Sequence, residues 1–135
     1  MGQHRVSVSV SKAEDAAQRK AFGNAGEDLV AEALVRDGYQ VRARNVRCKR
    51  GELDVVVEKG ELLCFVEVRM RSNGATGDPS QTVSRAKQRR VILAAMEYLQ
   101  RHRIKGRMIR FDVASVIGRG RSGVVEVIPN AYEAW

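Results

Sequence analysis

Apolar residues recur along this chain with two different periods, one helical and one alternating. From residue 12 to about residue 37 they recur every three or four positions, as on one face of a helix, and Gly38 is a common helix terminator. A second helical pattern runs to about His102. Its start is predicted at Asp78, because Pro79 follows directly and Gln81 stands three places after Asp78. The pattern therefore predicts two helices.

Alternation of apolar and polar residues, together with short apolar runs, predicts five strands. They cover residues 39–46, 52–58, 62–70, 107–117 and 123–129, with the second and third joined by a turn at Lys59-Gly60 and the last ended by Pro129. The predicted order is α-β-β-β-α-β-β. This order indicates an α/β protein with a mixed five-stranded sheet flanked by helices.

The remaining boundaries follow from length and composition. Residues 1–11 are polar without a helical period and are predicted to form a flexible tail, which leaves 12–135 as a single domain. No apolar run is long enough to span a membrane, and the start has no apolar core typical of a secretory signal peptide. Cys48 and Cys64 are predicted to be reduced thiols. The predicted location is therefore cytoplasmic, with no membrane partner.

The charge of the chain favours a polyanionic partner. Twenty-four Lys and Arg against sixteen Asp and Glu give a net charge of +8. The excess is concentrated in residues 36–50, which hold six basic residues and one acid, and in residues 85–107, which hold eight and one. Clustered cations are typical of nucleic-acid backbone binding. The residues predicted to make such contacts are Arg44, Arg47, Lys49, Arg50, Arg71, Lys87, Arg89 and Arg90.

Acidic residues interrupt the apolar strands of the predicted hairpin. A two-residue turn at Lys59-Gly60 places Glu52 opposite Glu67, with Asp54 as a diagonal neighbour of Glu67 and Arg69 on the same face. Like charges this close destabilise a sheet unless a positive charge compensates them. Arg69 supplies part of that charge, and a hard divalent cation, which prefers carboxylate oxygens, would supply more.

Each helix adds a polar residue to its apolar stripe. Glu27 shares a stripe with Val30, Ala31 and Leu34, and Gln88 heads the stripe of the second helix, so both are expected near the acids. Structural alternatives stay open for each. Glu27 also suits the positive N-terminal region of a helix, Gln88 suits a helix start, and Arg69 suits a plain ion pair with Glu67.

Three segments together resemble a known family. They are GNAGEDLVAEALVRDGYQVRARNVRCKRGELDVVVEKGELLCFVEVRMR, KQRRVILAAMEYL and RFDV. They resemble the YraN family of uncharacterised bacterial proteins, which is placed in the restriction-endonuclease-like, PD-(D/E)XK superfamily and is similar to Holliday junction resolvases. The resemblance covers about residues 22–131 and implies a three-layer α-β-α, restriction-endonuclease-like domain.

The superfamily motif, transferred by position, implies roles for individual residues. Asp54 matches the first acid and Glu67 the second, while Arg69 stands where most members have lysine. Arginine stays protonated near neutral pH, so it is not a general base, although it can stabilise charge on the reacting phosphate. The implied catalytic residues are Asp54, Glu67, Arg69, Glu27 and Gln88. The implied ligands of Mg²⁺ or Mn²⁺ are Asp54, Glu67, the backbone carbonyl of Val68, and Glu27.

The function expected from this reasoning is that of a metal-dependent DNA endonuclease selective for branched or junction DNA. A nucleic-acid-binding module that keeps the nuclease fold without efficient catalysis is the alternative, because of Arg69. A third reading is an adaptor whose basic surface meets an acidic protein. Resolvase-like relatives act as dimers, so the resemblance leaves a homodimer open, with no apolar patch in the sequence to mark one.

Overall fold

The computed structural model describes residues 4–7, 25–71, 83–118 and 123–134 of the chain. These residues form two helices and six strands. In chain order they are β1 (His4–Ser7), α1 (Ala25–Arg36), β2 (Gln40–Arg47), β3 (Glu52–Lys59), β4 (Leu62–Arg71), α2 (Arg85–Arg101), β5 (Met108–Ile117) and β6 (Val124–Tyr132). The predicted order α-β-β-β-α-β-β is confirmed over the domain.

The strands form one mixed sheet in the order β1-β6-β5-β4-β3-β2. β4 and β5 run parallel, and the other neighbouring pairs are antiparallel. Parallel neighbours need a crossover connection, which is the part of the chain that carries α2. The five predicted strands are therefore all present, in the predicted mixed sheet.

A short strand that the sequence analysis did not anticipate extends this sheet. β1 pairs antiparallel with β6, so His4–Ser7 are part of the sheet rather than of a flexible tail. The physical reason is that an edge strand offers unpaired backbone groups which even a short polar segment can satisfy. Residues 1–3 and 8–24 lie outside the described part of the chain, and the single domain over 12–135 stays a prediction.

The two helices pack on opposite faces of the sheet and give three layers, α-β-α. Leu29 and Val30 of α1 pack with Val55, Cys64 and Val66 on one face. On the other face, α2 covers a cluster in which the Phe65 ring stacks on Phe111 at 5.6 Å between centroids. Adjacent residues of a strand point to opposite faces, which is why neighbours in β4 serve different helices. The layering is that implied by the resemblance to restriction-endonuclease-like proteins.

The second helix begins later than the sequence indicated, whereas residues 12–24 of the first predicted helix lie outside the described part of the chain. α2 begins at Arg85, with Ser84 as its N-cap residue, so the start predicted at Asp78 is wrong. The Ser84 Oγ accepts a hydrogen bond from the Lys87 backbone N–H at 3.1 Å, and serine is among the preferred N-cap residues. Asp78 and Pro79 themselves lie outside the described residues. Neither α1 nor α2 is long and apolar enough to cross a membrane.

The β3–β4 hairpin differs from the predicted register by two positions. Lys59 pairs with Leu62, so the turn residues are Gly60 and Glu61 rather than Lys59 and Gly60. Gly60 has a φ of +60°, and a type II′ turn has glycine with positive φ at its first central position. The error is even, so it moves no side chain of the paired stretch to the other face, but every cross-strand pairing changes. Beyond the last pair the alternation of β3 breaks, because Leu53 packs in the same cluster as Val56, so the predicted grouping of Glu52 with Glu67 does not hold.

β6 continues three residues past Pro129, where the sequence indicated its end. The ladder shifts register between Ile128 and Tyr132 of β6, so Pro129 lies in a bulge, where a missing N–H breaks no ladder bond. Asn130 adopts a φ of +53° and donates its N–H to the Asp112 carboxylate at 2.9 Å. A side chain on β5 thus replaces the ladder bond that the bulge removes.

Candidate active site

Asp54 and Glu67 meet where β3 and β4 stop pairing. The last paired residues at this end are Val55 and Val66, so Asp54 and Glu67 are the next residues on the two strands. The Asp54 Oδ2 accepts a hydrogen bond from the Val68 N–H at 2.9 Å, in place of a backbone carbonyl. The strands therefore separate around a carboxylate, and the two acids are direct neighbours rather than the diagonal neighbours predicted.

Burial makes this acid pair electrostatically unusual. Glu67 is only 4% exposed. Its burial, followed by the charge of Asp54, raises the pKa of Glu67 to about 7. Burial also raises the pKa of Asp54, although the Val68 N–H favours the ionised form. Burial thus opposes the ionisation of both carboxyl groups, and a nearby cation would favour their ionised forms.

Lys87 brings a positive charge to the pair from the first turn of α2. Its Nζ lies 3.4 Å from the Glu67 Oε2, and its side chain is 38% exposed. The Ser84 cap fixes the helix start, and with it the position of Lys87. Lys87 lowers the pKa of Glu67 more than Arg69 does. The sequence predicts nucleic-acid binding for Lys87 and does not predict this contact.

Glu27 approaches the pair from the N-terminal turn of α1. Burial raises the pKa of Glu27 to about 7, and the Asp54 charge adds to the effect. Arg44 of β2 forms an ion pair with Asp28 and lies 3.8 Å from the Glu27 Oε1. That oxygen is buried and accepts no hydrogen bond from the described residues. The charge of Asp54 thus acts on Glu27, and the catalytic and metal-binding roles of Glu27 stay predictions.

Arg69 and Gln88 occupy positions that fit their structural alternatives. Arg69 is half-buried on β4 and acts on Glu67 through its charge. The Gln88 Nε2 donates to the Val83 carbonyl at 3.1 Å, which is a helix-start contact. Their roles toward a phosphate stay predictions, as does the role of the Val68 carbonyl.

Four of the eight predicted nucleic-acid contacts lie in two exposed regions. One is the turn between β2 and β3, where Lys49 and Arg50 are exposed, and the other is the exposed side of α2 with Arg89 and Arg90. The turn is held on α2, since the Lys49 N–H donates to Glu97 at 3.0 Å. A groove of about 610 Å³ lies between this turn and the C-terminal half of α2, and its lining includes Lys49, Arg50 and Arg101. Arg47 is 91% exposed at the side chain, whereas Arg44 is engaged by acids.

Asn45 and Tyr132 are further residues of this region that the sequence analysis missed. Asn45 has a φ of +52° and lies on β2 between the residues that pair with Leu53 and Val55, next to Asp54. A hydrogen-bonding contact from its side chain to the Glu27 carboxyl offsets part of the rise that burial causes in the pKa of Glu27. Asparagine is unfavourable in strands and tolerates positive φ, so its presence in an alternating segment was the available signal. Burial, then the Glu67 charge, raises the pKa of Tyr132.

A mixed sheet between two helices, with a buried carboxylate pair where two strands separate, defines an α/β protein with an acidic site at one end of its sheet. A model described as "Uncharacterised protein family UPF0102" matches residues 26–116, and the chain belongs to this family. The predicted membership of the YraN family is thereby confirmed.

Relatives of the chain match over most of its length. It is 55% identical to a UPF0102 protein of Myxococcus xanthus over 118 residues, which are 87% of this chain and 94% of the relative. It is 43% identical to one of Anaeromyxobacter dehalogenans, over 85% of this chain and 86% of the relative. It is 40% identical to one of Geobacter metallireducens, over 84% of this chain and 93% of the relative.

Proposed function

We propose that the protein is a metal-dependent DNA endonuclease that hydrolyses phosphodiester bonds, with branched or junction DNA as its preferred substrate. The observation that carries this proposal is the pair formed by the half-buried Asp54 and the buried Glu67 where β3 and β4 separate. A pair of acids held against burial and mutual repulsion costs stability, and such costs concentrate at functional sites. The net charge of +8 supports a polyanionic substrate.

The donor set fits Mg²⁺ or Mn²⁺. Carboxylate and carbonyl oxygens are the ligands that these ions prefer, and Mg²⁺ is commonly held by one or two carboxylates with several waters. Within the described ranges, no three Asp, Glu, His or Cys side chains lie close enough to share an ion. Asp54, Glu67 and the Val68 carbonyl would therefore be the protein ligands, with Glu27 acting through water. A bound ion would lower the pKa of a coordinated water and bind the scissile phosphate.

The side chains of the protein would position the attacking water and the phosphate and would stabilise negative charge during hydrolysis. Water adds to phosphorus, the bond from phosphorus to the leaving oxygen breaks, and the water proton passes to solvent while the leaving oxygen takes up a proton. Glu27 would orient the attacking water, Gln88 would steady the phosphate, and Arg69 would supply positive charge beside the acids. The basic turn with Lys49 and Arg50, and the exposed side of α2, would hold the flanking backbone.

Cleavage of branched, flapped and linear DNA in the presence of Mn²⁺ or Mg²⁺ tests the proposal. We expect Asp54→Asn to lower the cleavage rate by a factor of about 100 or more, because the charged carboxylate that would bind the metal ion becomes a neutral amide. Glu61→Gln, in the turn at the other end of the same hairpin, is the matched control and should cleave like the wild type. Full cleavage by both Asp54→Asn and Glu67→Gln would show that the site is elsewhere.

A second candidate function is nucleic-acid binding without catalysis. It is favoured by the fact that both acids already have partners within the chain, Lys87 for Glu67 and the Val68 N–H for Asp54. In that case the wild type would bind branched DNA in a salt-dependent manner, and calorimetry with Mn²⁺ would give no heat of binding. A Mn²⁺ binding heat that disappears in Asp54→Asn would exclude this candidate. A homodimer and a cytoplasmic location stay predictions.

A further inference from the structure

A DNA phosphate that enters this site meets an excess of negative charge. Asp54 and Glu67 are adjacent, and Glu27 is close enough for its pKa to be raised by the Asp54 charge. A metal ion offsets part of this charge, but the phosphate also gains negative charge as the water attacks. A cation of the protein that touches both the acid pair and the phosphate would stabilise that charge directly.

Lys87 has the position that this task requires. Its ammonium lies 3.4 Å from the Glu67 Oε2, and 38% of its side chain remains exposed. An ammonium carries three hydrogen-bond donors, so a contact with Glu67 leaves donors for a phosphate oxygen. The first turn of α2 contains Arg85 and Lys87 and no acid, and the N-terminus of a helix favours anions.

Arg69 is placed less favourably for the same task. It pairs in register with Ser115 of β5, and Ser115 pairs with Glu126 of β6. Glu126 is a buried acid, only 4% exposed. The residues that lie in register with Arg69 across the sheet therefore include a second carboxylate, apart from the Asp54–Glu67 pair. The charge of Arg69 also has the smaller effect on Glu67.

We infer that Lys87 of α2, rather than Arg69 of β4, is the catalytic cation that contacts the scissile phosphate. This inference rests on the proposed nuclease function and adds to it one residue and its target. The lysine reaches the acid pair from the helix that follows the motif strand, in place of a lysine on the strand itself. Arg69 is then a positioning residue that balances the acids on its face of the sheet.

Single-turnover cleavage at saturating Mn²⁺ tests the inference. We expect Lys87→Met to slow cleavage by a factor of about 100, while Lys87→Arg, which keeps the charge, recovers at least a tenth of the wild-type rate. Lys105→Met removes one exposed lysine elsewhere and controls for net charge. Arg69→Met should lose less than Lys87→Met. Cleavage by Lys87→Met at the rate of Lys105→Met would overturn the inference, and would leave the proposed function intact if Asp54→Asn is inactive.

Binding of a small phosphodiester provides a readout that does not depend on cleavage. A thymidine dinucleotide is titrated in the presence of Ca²⁺, and its dissociation constant is measured by NMR or calorimetry. We expect Lys87→Met to weaken this binding about tenfold relative to Lys105→Met, because a direct contact is lost. Metal affinity should stay equal or increase, since the ion no longer competes with an ammonium at Glu67.

The two readouts separate the possible failures. If the wild type cleaves no substrate but Lys87→Met binds the dinucleotide tenfold more weakly, the proposed nuclease activity fails and the phosphate contact of Lys87 stands. If the dinucleotide binds Lys87→Met and Lys105→Met equally, Lys87 only neutralises Glu67, and the inference is wrong whatever the cleavage result.

Discussion

Replacing Asp112 with alanine is expected to lower the free energy of unfolding by about 3–5 kcal/mol. Asp112 is 1% exposed and accepts two hydrogen bonds at 2.9 Å from Arg110, one to each carboxylate oxygen. It also accepts the Asn130 N–H at the bulge in β6. The substitution leaves a half-buried guanidinium and a bulge N–H without their acceptor, and each such loss costs stability.

Urea unfolding of Asp112→Ala, Arg110→Ala and the double variant measures this effect and its origin. We expect the two single losses to sum to more than the loss of the double variant, because both remove one interaction. Asp112→Ala should still lower the free energy of unfolding when Arg110 is already alanine, since the Asn130 N–H needs Asp112 in either background. A loss below about 1 kcal/mol for Asp112→Ala would show that water replaces the carboxylate freely.

The free energy of unfolding is expected to fall as the pH rises from about 5 to about 7.5. The folded state holds the pKa of Glu67, and that of Glu27, near 7, above the ordinary value of 4.5. Between these values the unfolded chain has released protons that the folded chain keeps, so rising pH favours unfolding. The protonated acids contribute their full stability below about 4.5 and lose it as the pH passes 7.

Glu67→Gln isolates this effect. An amide carries no charge to bury, so the variant should unfold with less dependence on pH over this range. A pKa difference of one corresponds to about 1.4 kcal/mol, and the pKa of about 7 already includes the charge of Lys87, so we expect a net gain of about 2–3 kcal/mol at pH 7.5. Glu61→Gln should follow the wild-type curve, because Glu61 is exposed. Parallel curves for Glu67→Gln and wild type would contradict the prediction.

The local pattern of the sequence was enough to place Asp54 and Glu67 together, in spite of a wrong turn. Side chains alternate along a strand, so a register error of two positions exchanges partners without moving any side chain to the other face. The position of Gly60 in the turn decides between the registers. Glycine with positive φ suits either central position, and only the backbone of the folded hairpin shows that it is the first.

Contacts between distant segments were not available from the sequence. Lys87 and Glu67 are separated by the connection from β4 to α2, and their contact depends on how α2 lies across the sheet. Lys87 stands among other basic residues, so nothing in the local sequence distinguishes it from them. A proline usually ends a strand, but here the Asp112 carboxylate accepts the Asn130 N–H and β6 continues past Pro129.

The topology also has a consequence for the order in which the site forms during folding. The β3–β4 hairpin closes through two turn residues, so Asp54 and Glu67 come together through local contacts. Lys87 arrives only when α2 docks during formation of the parallel β4–β5 pair, which requires closure of a much longer loop. A folding chain therefore brings its two acids together before the helix delivers the ammonium that contacts Glu67.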